Sequence, residues 1–312
     1  MFSMILPDAQ TIRTQTPFVF ENASSNFVGV YNADLTTFHR IPPRATLTCT
    51  LKTQATASGV WGSMVHDPAV GNPAFGINEI EDFLMYSAPS NGTSLGNFRV
   101  RLAGTAASVD CGYAGAAIMA PGRQGFVSMN TGTDVTGYSS MSISGASSGA
   151  PDALGSGCRA VETSLSVSVL SVAAQEYIAR FGFGDNVTGG APTEGAYLLY
   201  DRVTAGLDLW QMKTIKTAGG AGTTQTATAV VPVAGIAAEF QKLRVEINSS
   251  ASRADFIIDN VVTSPVGGLA NIPAVTTPIK IALIDITKSA GATARFLKVD
   301  NIRIQSYPTT LR

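Results

Sequence analysis

Apolar residues recur at every second position through most of this chain and almost nowhere at helical spacing. Leu165, Val167 and Val169 alternate with Ser164, Ser166 and Ser168. Tyr177, Ala179, Phe181 and Phe183 continue the pattern, and Leu243, Val245 and Ile247 alternate with Arg244 and Glu246. A strand sends successive side chains to opposite faces, so each run predicts a strand with one buried and one wet face. Phe296, Leu297, Val299, Ile302 and Ile304 give the last apolar strands. Turn residues separate the runs: Ser90-Asn91-Gly92, Pro121-Gly122, Gly184-Asp185-Asn186, Gly189-Gly190 and Gly267-Gly268. Asn248 to Arg253 links two strands as a hairpin, with a second turn at Asp259-Asn260. Many short strands with turns at regular spacing predict an all-β sandwich or jelly roll. The best helical candidate is Ile77 to Tyr86, where Ile77, Ile80 and Leu84 share one face, although so short a run equally suits a strand entry.

A domain boundary is expected near Asn72-Pro73-Ala74-Phe75-Gly76. Residues 1–76 then form a small N-terminal β module that anchors or bridges, with strands at Phe18-Val19-Phe20, Phe27 to Val30, Ala45 to Lys52 and Val60-Trp61. Residues 77–312 form one larger sandwich. Inside it, Thr217 to Ala238 contains no charge and predicts a strand that also contacts a partner protein. The net charge of -1 excludes a strongly basic nucleic-acid binder. The apolar run at Met1 to Leu6 is too short for a signal peptide, and no stretch reaches a membrane-spanning length, so a soluble chain is expected. Cys49, Cys111 and Cys158 form no Cys-x-x-Cys pair, which predicts buried free thiols in a reducing compartment, with one long-range pair left open as the alternative.

Motifs for chemistry are sparse. Glu79-Ile80-Glu81-Asp82 resembles the Glu-Ile-Asp-x-Glu strand of laminarinase-like jelly rolls, which hydrolyse sugars with paired carboxylates. Here the alternate positions are Glu79, Glu81 and Phe83, so the third acid is lost, and a solvated edge or short helix start is the expected role. His39 and His66 are the two histidines; His66-Asp67 are neighbours that point to opposite faces of a strand, which defeats a Ser-His-Asp triad. Gly145-Ala146-Ser147-Ser148-Gly149 fits the letters of a nucleophile elbow in the wrong setting, a Ser-rich loop. Asp255, Asp259, Asp285 and Asp300 form no compact calcium loop. Trp61, Trp210, Tyr138, Tyr197 and Tyr200 are candidate sugar platforms by residue type, with a core role expected for Trp210. No catalytic, cofactor-binding or metal-ligating residue is therefore expected, and no enzymatic activity.

The order of segments after residue 77 resembles the concanavalin-A-like jelly rolls of bacteriophage virion proteins. Ala120 to Thr133 looks like that family's Pro-Gly to Thr-Gly-Thr stretch, and Arg180-Phe181-Gly182-Phe183-Gly184-Asp185 like its central Gly-Phe-x-Asp strand. Gly195 to Asp201 and Trp210 follow in order, then Phe240 to Asn248 with Phe256 to Asn260 as the closing hairpin, then Lys288 to Gly291 and Val299 to Ile302. The pattern runs from Asn78 to Tyr307. Phe18 to Ser25, Ile41-Pro42-Pro43 and Ser58 to Trp61 also resemble small β modules of phage decoration and fibre proteins. The resemblance implies a concanavalin-A-like jelly roll behind a small N-terminal module, made in the host cytoplasm and assembled into the virion. It implies a capsid decoration or cement protein, a homotrimer whose partners are the major capsid protein or other virion proteins, binding neither nucleic acid nor membrane. The alternative is a tail fibre or adhesin that recognises host glycans; the absence of coiled-coil heptads and collagen-like repeats favours the capsid role. A third reading, a glycan hydrolase or lyase, would rest on Glu79 and Glu81.

Overall fold

The computed structural model describes residues 3–15, 17–34, 37–70, 77–82, 91, 93–95, 97–111, 126–143, 154–185, 188–202, 206, 208–217, 222–235, 240–273 and 279–309. The protein is an all-β sandwich of two large sheets preceded by a smaller β unit. Two eight-stranded sheets make the sandwich. One, here the junction sheet, runs in the order Ser108–Cys111, Val127–Asn130, Phe296–Pro308, Gly157–Val167, Gln241–Ile247, Ala254–Ile258 and Val261–Val262. Ile77–Asp82 pairs with the second half of Phe296–Pro308, with Ile80 opposite Arg303. The far sheet runs in the order Gly222–Ala227, Trp210–Lys216, Gly195–Asp201, Tyr177–Gly184, Lys280–Lys288, Tyr138–Ile143, Phe98–Ala103 and Ser94–Leu95.

The helix weighed for Ile77 to Tyr86 is a strand over Ile77–Asp82, and residues 83–86 lie outside the described residues. Six ladder positions along Asn301 to Ser306 outweigh a helical pattern of three apolar residues. The turns at Gly92 and Pro121-Gly122, the elbow letters at 145–149 and the boundary at 72–76 also lie outside the described residues.

The core lies between the sheets and comes from the alternation. Val161, Leu165, Leu243, Val245, Phe256 and Val299 point inward from the junction sheet, and Tyr177, Phe181, Phe183, Leu198, Trp210 and Ile284 from the far sheet. Polar atoms inside this core are paired. Trp210 Nε1 donates across the sandwich to Gln241 Oε1 at 2.7 Å, and Tyr177 Oη donates to the Val169 carbonyl at 2.8 Å. Each bond lets a large amphipathic ring be buried without stranding its donor. Trp210, Tyr197 and Tyr200 are fully buried, which removes them as sugar platforms.

The first 66 residues make two three-stranded sheets. Ser3–Ile5 lies parallel to Val28–Tyr31, which pairs with Thr37–Ile41; Thr46–Thr53 lies between Pro17–Glu21 and Val60–His66. They enclose a core of their own: Leu6, Val30, Ile41, Ala45, Leu47 and Cys49. Trp61 is half-buried there, its ring edge-on to Phe18 at 5.7 Å, its Nε1 donating to the Ser58 carbonyl. Cys49 and Cys158 are free and buried, and burial pushes their thiols up to about 11 and about 12, which leaves both unreactive at neutral pH. The Cys111 side chain lies outside the described residues.

Gly182, in the middle of the far sheet, has φ +148°, and a Cβ there would sit 2.5 Å from the Ala196 carbonyl oxygen and 2.7 Å from the Tyr197 Cα. Those atoms belong to a paired neighbouring strand and have nowhere to go. Gly182→Ala is therefore expected to lower unfolding free energy by about 2–3 kcal/mol. Gly267→Ala, at φ +95° in open space, should cost only about 1 kcal/mol of backbone strain. Urea unfolding of the two variants checks the order.

Candidate functional site

The wet face of the junction sheet is not wet. Register places Arg303, Glu162, Arg244 and Ile257 in one row across four strands, and Gln305, Ala160, Glu246 and Asp255 in the next. All point away from the sandwich core, where alternation alone predicts solvent. The N-terminal unit covers them instead. Arg244, Glu246, Asp255 and Gln305 are all buried. Phe27 and Ala69 pack with Cys158, Ala160 and Tyr307 in a small apolar cluster between the two parts, with the Phe27 and Tyr307 rings edge-on at 5.5 Å.

A charge removed from water must find an opposite charge or a hydrogen bond, and here the N-terminal unit supplies it. Arg40, on Thr37–Ile41, reaches across to grip Glu246 with Nε at 3.1 Å and with Nη2. Arg244 Nε donates to Glu246 Oε1 at 2.7 Å and Nη1 to Glu162 Oε2 at 3.2 Å; Lys242 Nζ lies 3.1 Å from Glu162 Oε1. The result is an alternating chain, Lys242–Glu162–Arg244–Glu246–Arg40. The Arg244 guanidinium also lies over the Phe27 ring, 4.8 Å from its centroid. Arg40 has room because Gly29 stands opposite it: a Cβ at Gly29 would lie 3.0 Å from Arg40 Nη1 and 2.8 Å from the Tyr31 ring.

Further hydrogen bonds flank this chain. Tyr307 Oη donates to Asp67, which also accepts from Asn78 Nδ2 at 2.6 Å, and Asn78 Oδ1 accepts from Arg303 Nε at 2.9 Å. Arg44 donates to the Pro308 and Thr309 carbonyls, and the Ser249 amide to Asn26 Oδ1 at 2.8 Å. Asn22 shapes the loop that presents Asn26 and Phe27: it is buried, its Nδ2 donates to the Asn26 and Ile41 carbonyls, and its Oδ1 accepts from the Ser24 amide.

Beside the charge chain lies a cavity of about 340 Å³. His39 and Val65 line it from the N-terminal unit; Lys242, Asn260, Arg303 and Gln305 line it from the sandwich. Burial, then the nearby Lys242 charge, lowers the His39 pKa, so the ring is neutral at pH 7. Its Nε2 lies 2.6 Å from Ser63 Oγ. His39 thus belongs to a cavity wall rather than to an exposed surface, while His66 is exposed. Tyr138 is half-buried on the outer face of the far sheet.

The other candidate residues stay apart. Asp255 and Asp285 sit on different sheets, Asp285 paired with Arg180 at 2.8 Å, while Asp259 accepts from the Lys242 amide. Among the described residues no cluster of three His, Cys, Asp or Glu side chains could hold a metal ion. The strand bearing Glu79, Glu81 and Asp82 lies at the side of Phe296–Pro308, and these three side chains lie outside the described residues. What the sequence reading missed is the charge chain, although Lys242-Leu243-Arg244-Val245-Glu246 carried its signal. Three charges on one face of an apolar strand satisfy either water or a charged partner.

No protein-family model matches the sequence, and no curated protein matches it. Among solved structures, a protein of unknown function from Shewanella oneidensis MR-1 superposes with TM-score 0.53 at 12% identity, over 76% of this chain and 89% of that one. An endo-1,3-β-glucanase from Streptomyces sioyaensis gives TM-score 0.45 at 14% identity, over 78% and 100%. A carbohydrate esterase from a Shiga toxin-encoding bacteriophage gives 0.40 at 13%, over 73% and 100%. At these identities the likeness concerns the fold. The last two correct one expectation all the same. The sequence led us to exclude enzymatic activity, and this fold occurs in enzymes, so the exclusion is withdrawn.

Burial alone would raise the Glu246 carboxyl; the charges and hydrogen bonds of Arg40 and Arg244 reverse this and hold it below the usual carboxylate value. Its stabilising contribution is complete above the unfolded carboxylate pKa of about 4.3 and fades as pH falls through the lower folded value. Asp255 has the opposite sign: burial and then the Glu246 charge raise its pKa, so its ionised form costs stability at neutral pH. Glu246→Gln should lose about 3–5 kcal/mol at pH 7 by leaving two buried arginines short of charge. Asp255→Asn should be neutral or stabilising at pH 7, any gain vanishing in acid. Urea unfolding between pH 3 and 8 checks both.

Proposed function

We propose that this chain is a structural protein of a bacteriophage particle, a capsid decoration or cement protein. The observation that carries the reading is the buried charge chain joining the N-terminal unit to the sandwich. A protein that bridges a particle surface and its exterior needs two parts that do not swing, and a desolvated, hydrogen-bonded junction supplies that stiffness. On this reading residues 1–76 attach to the major capsid protein and residues 77–312 project. The outer face of the Thr46–Thr53 sheet supports the assignment. Val19, Thr48 and Met64 lie in one row across three strands, and Val19 and Met64 are 65% and 68% exposed. Exposed apolar residues aligned on one face suit a protein contact. The assembly we assign is a homotrimer, with closed symmetry limiting its growth.

A tail-located adhesin that recognises host glycans is the second reading, and the polar cavity at the junction favours it. Copy number separates the two. Quantitative mass spectrometry of purified particles should count the protein in numbers comparable to the major capsid protein; a handful of copies places it at the tail, and absence from particles defeats both. Sedimentation should give three times the 32.4 kDa chain mass. Met64→Glu should reduce the copies bound to particles without shifting the melting temperature.

A further inference from the structure

The spacing of His66 and Asp67 defeats a catalytic triad, but the fold brings the other histidine to a serine. His39 Nε2 lies 2.6 Å from Ser63 Oγ, within hydrogen-bond reach for a nucleophile and its base. The two residues come from different sheets. Ser63 stands opposite Cys49 across the Thr46–Thr53 ladder, and His39 stands opposite Val30 across the Val28–Tyr31 ladder. Cys49 and Val30 belong to one core, so Ser63 and His39 both point toward it. Their strands, Val60–His66 and Thr37–Ile41, are edge strands. The pair therefore meets at the rim of the N-terminal core rather than inside it, and Ser63 is exposed.

The surroundings suit chemistry at this pair. His39 lines the junction cavity, and so does Val65, two residues along from Ser63 on the same face, which sets Ser63 at the cavity mouth. A substrate can reach the hydroxyl from solvent and lodge in the cavity. His39 is neutral at pH 7, so its ring can take a proton. In the tautomer that carries its hydrogen on Nδ1, Nε2 accepts from the Ser63 hydroxyl. Lys242 stands on the same wall. An ammonium has three donors, and Glu162 Oε1 at 3.1 Å takes one of them. Another can meet an oxygen that gains negative charge. The volume of about 340 Å³ lies at the low end of small-molecule sites and restricts the bound group to a short acyl chain or a small alcohol.

We propose that Ser63 and His39 form a nucleophile–base pair that hydrolyses small carboxylic esters at the mouth of the junction cavity. As Ser63 Oγ bonds to the ester carbonyl carbon, its proton passes to His39 Nε2 and the carbonyl π electrons move to oxygen. The C=O bond then re-forms, the ester C–O bond breaks, and the alcohol leaves with the proton from His39. Water attacks the acyl-serine in turn, gives a proton to His39, and the proton returns to Ser63 Oγ as the acid departs. Water is the one co-reactant, and nothing is oxidised or reduced. The proposal goes beyond the particle reading and is independent of it.

The test uses the full chain with a covalent label and a substrate. A fluorophosphonate, which phosphonylates an activated serine with loss of fluoride, should add once, and peptide mass mapping should place the adduct on Ser63. Phenyl acetate should be hydrolysed with a kcat/KM that falls about 100-fold or more in Ser63→Ala and in His39→Gln, the scale of general-base catalysis. Ser63 is exposed, so Ser63→Ala keeps the fold, and an unchanged melting temperature confirms it. No adduct, an adduct elsewhere, or a rate that Ser63→Ala leaves unchanged overturns the proposal. A full rate in a folded His39→Gln overturns it as well, because the serine would then act without this base. Where His39→Gln does not fold, the label and Ser63→Ala decide alone. A plain polar tie between two sheets predicts neither the adduct nor any hydrolysis lost with Ser63.

Discussion

The structure depends on one constraint: charges on the outer face of the junction sheet lie out of water. Glu162, Arg244 and Glu246 are placed there by strand period, not by chance contact, and cannot turn inward without entering the apolar core. A bare sandwich would leave them solvated at no cost. Covering them commits the N-terminal unit to supplying a matching cation, and Arg40 is that cation. Gly29, the Asn22-shaped loop and the Phe27–Tyr307 contact all follow from bringing one guanidinium and one ring to the right place. A pair of this kind is weak evidence for stability, because desolvation offsets much of the attraction. Its value is specificity, since a misplaced unit would bury the same charges unpaired.

Most of the sandwich was legible because period two is local. Leu243, Val245 and Ile247 face the core as their alternation requires, and Tyr177, Ala179, Phe181 and Phe183 do the same on the facing sheet. The short pattern at Ile77 suited a helix or a strand entry alike, and the strand is decided by a partner more than two hundred residues away. The junction was illegible for a related reason. Arg244 and Glu246 look like solvent-facing charges in any single strand, and only the packing of residues 26–69 against them changes their meaning. Tyr197 and Tyr200 show the same limit in reverse, since residue type proposed a sugar platform and burial refused it.

The fold carries less about function than the junction does. The structure that superposes with TM-score 0.53 is itself of unknown function, and one scaffold hosts many sites. Particular side chains must therefore carry any functional reading. Here the buried, hydrogen-bonded contact between the two parts is the feature that a structural bridge would use.

The most direct measurement is native-state amide hydrogen exchange resolved by segment. If the charge chain makes one cooperative body, amides of Val28–Tyr31 and Thr37–Ile41 should open with free energies close to those of Gln241–Ile247, and all should fall together in Glu246→Gln. If the N-terminal strands instead exchange several kcal/mol more easily than Gln241–Ile247, and Glu246→Gln leaves that gap unchanged, the junction does not unite the two parts and the account fails.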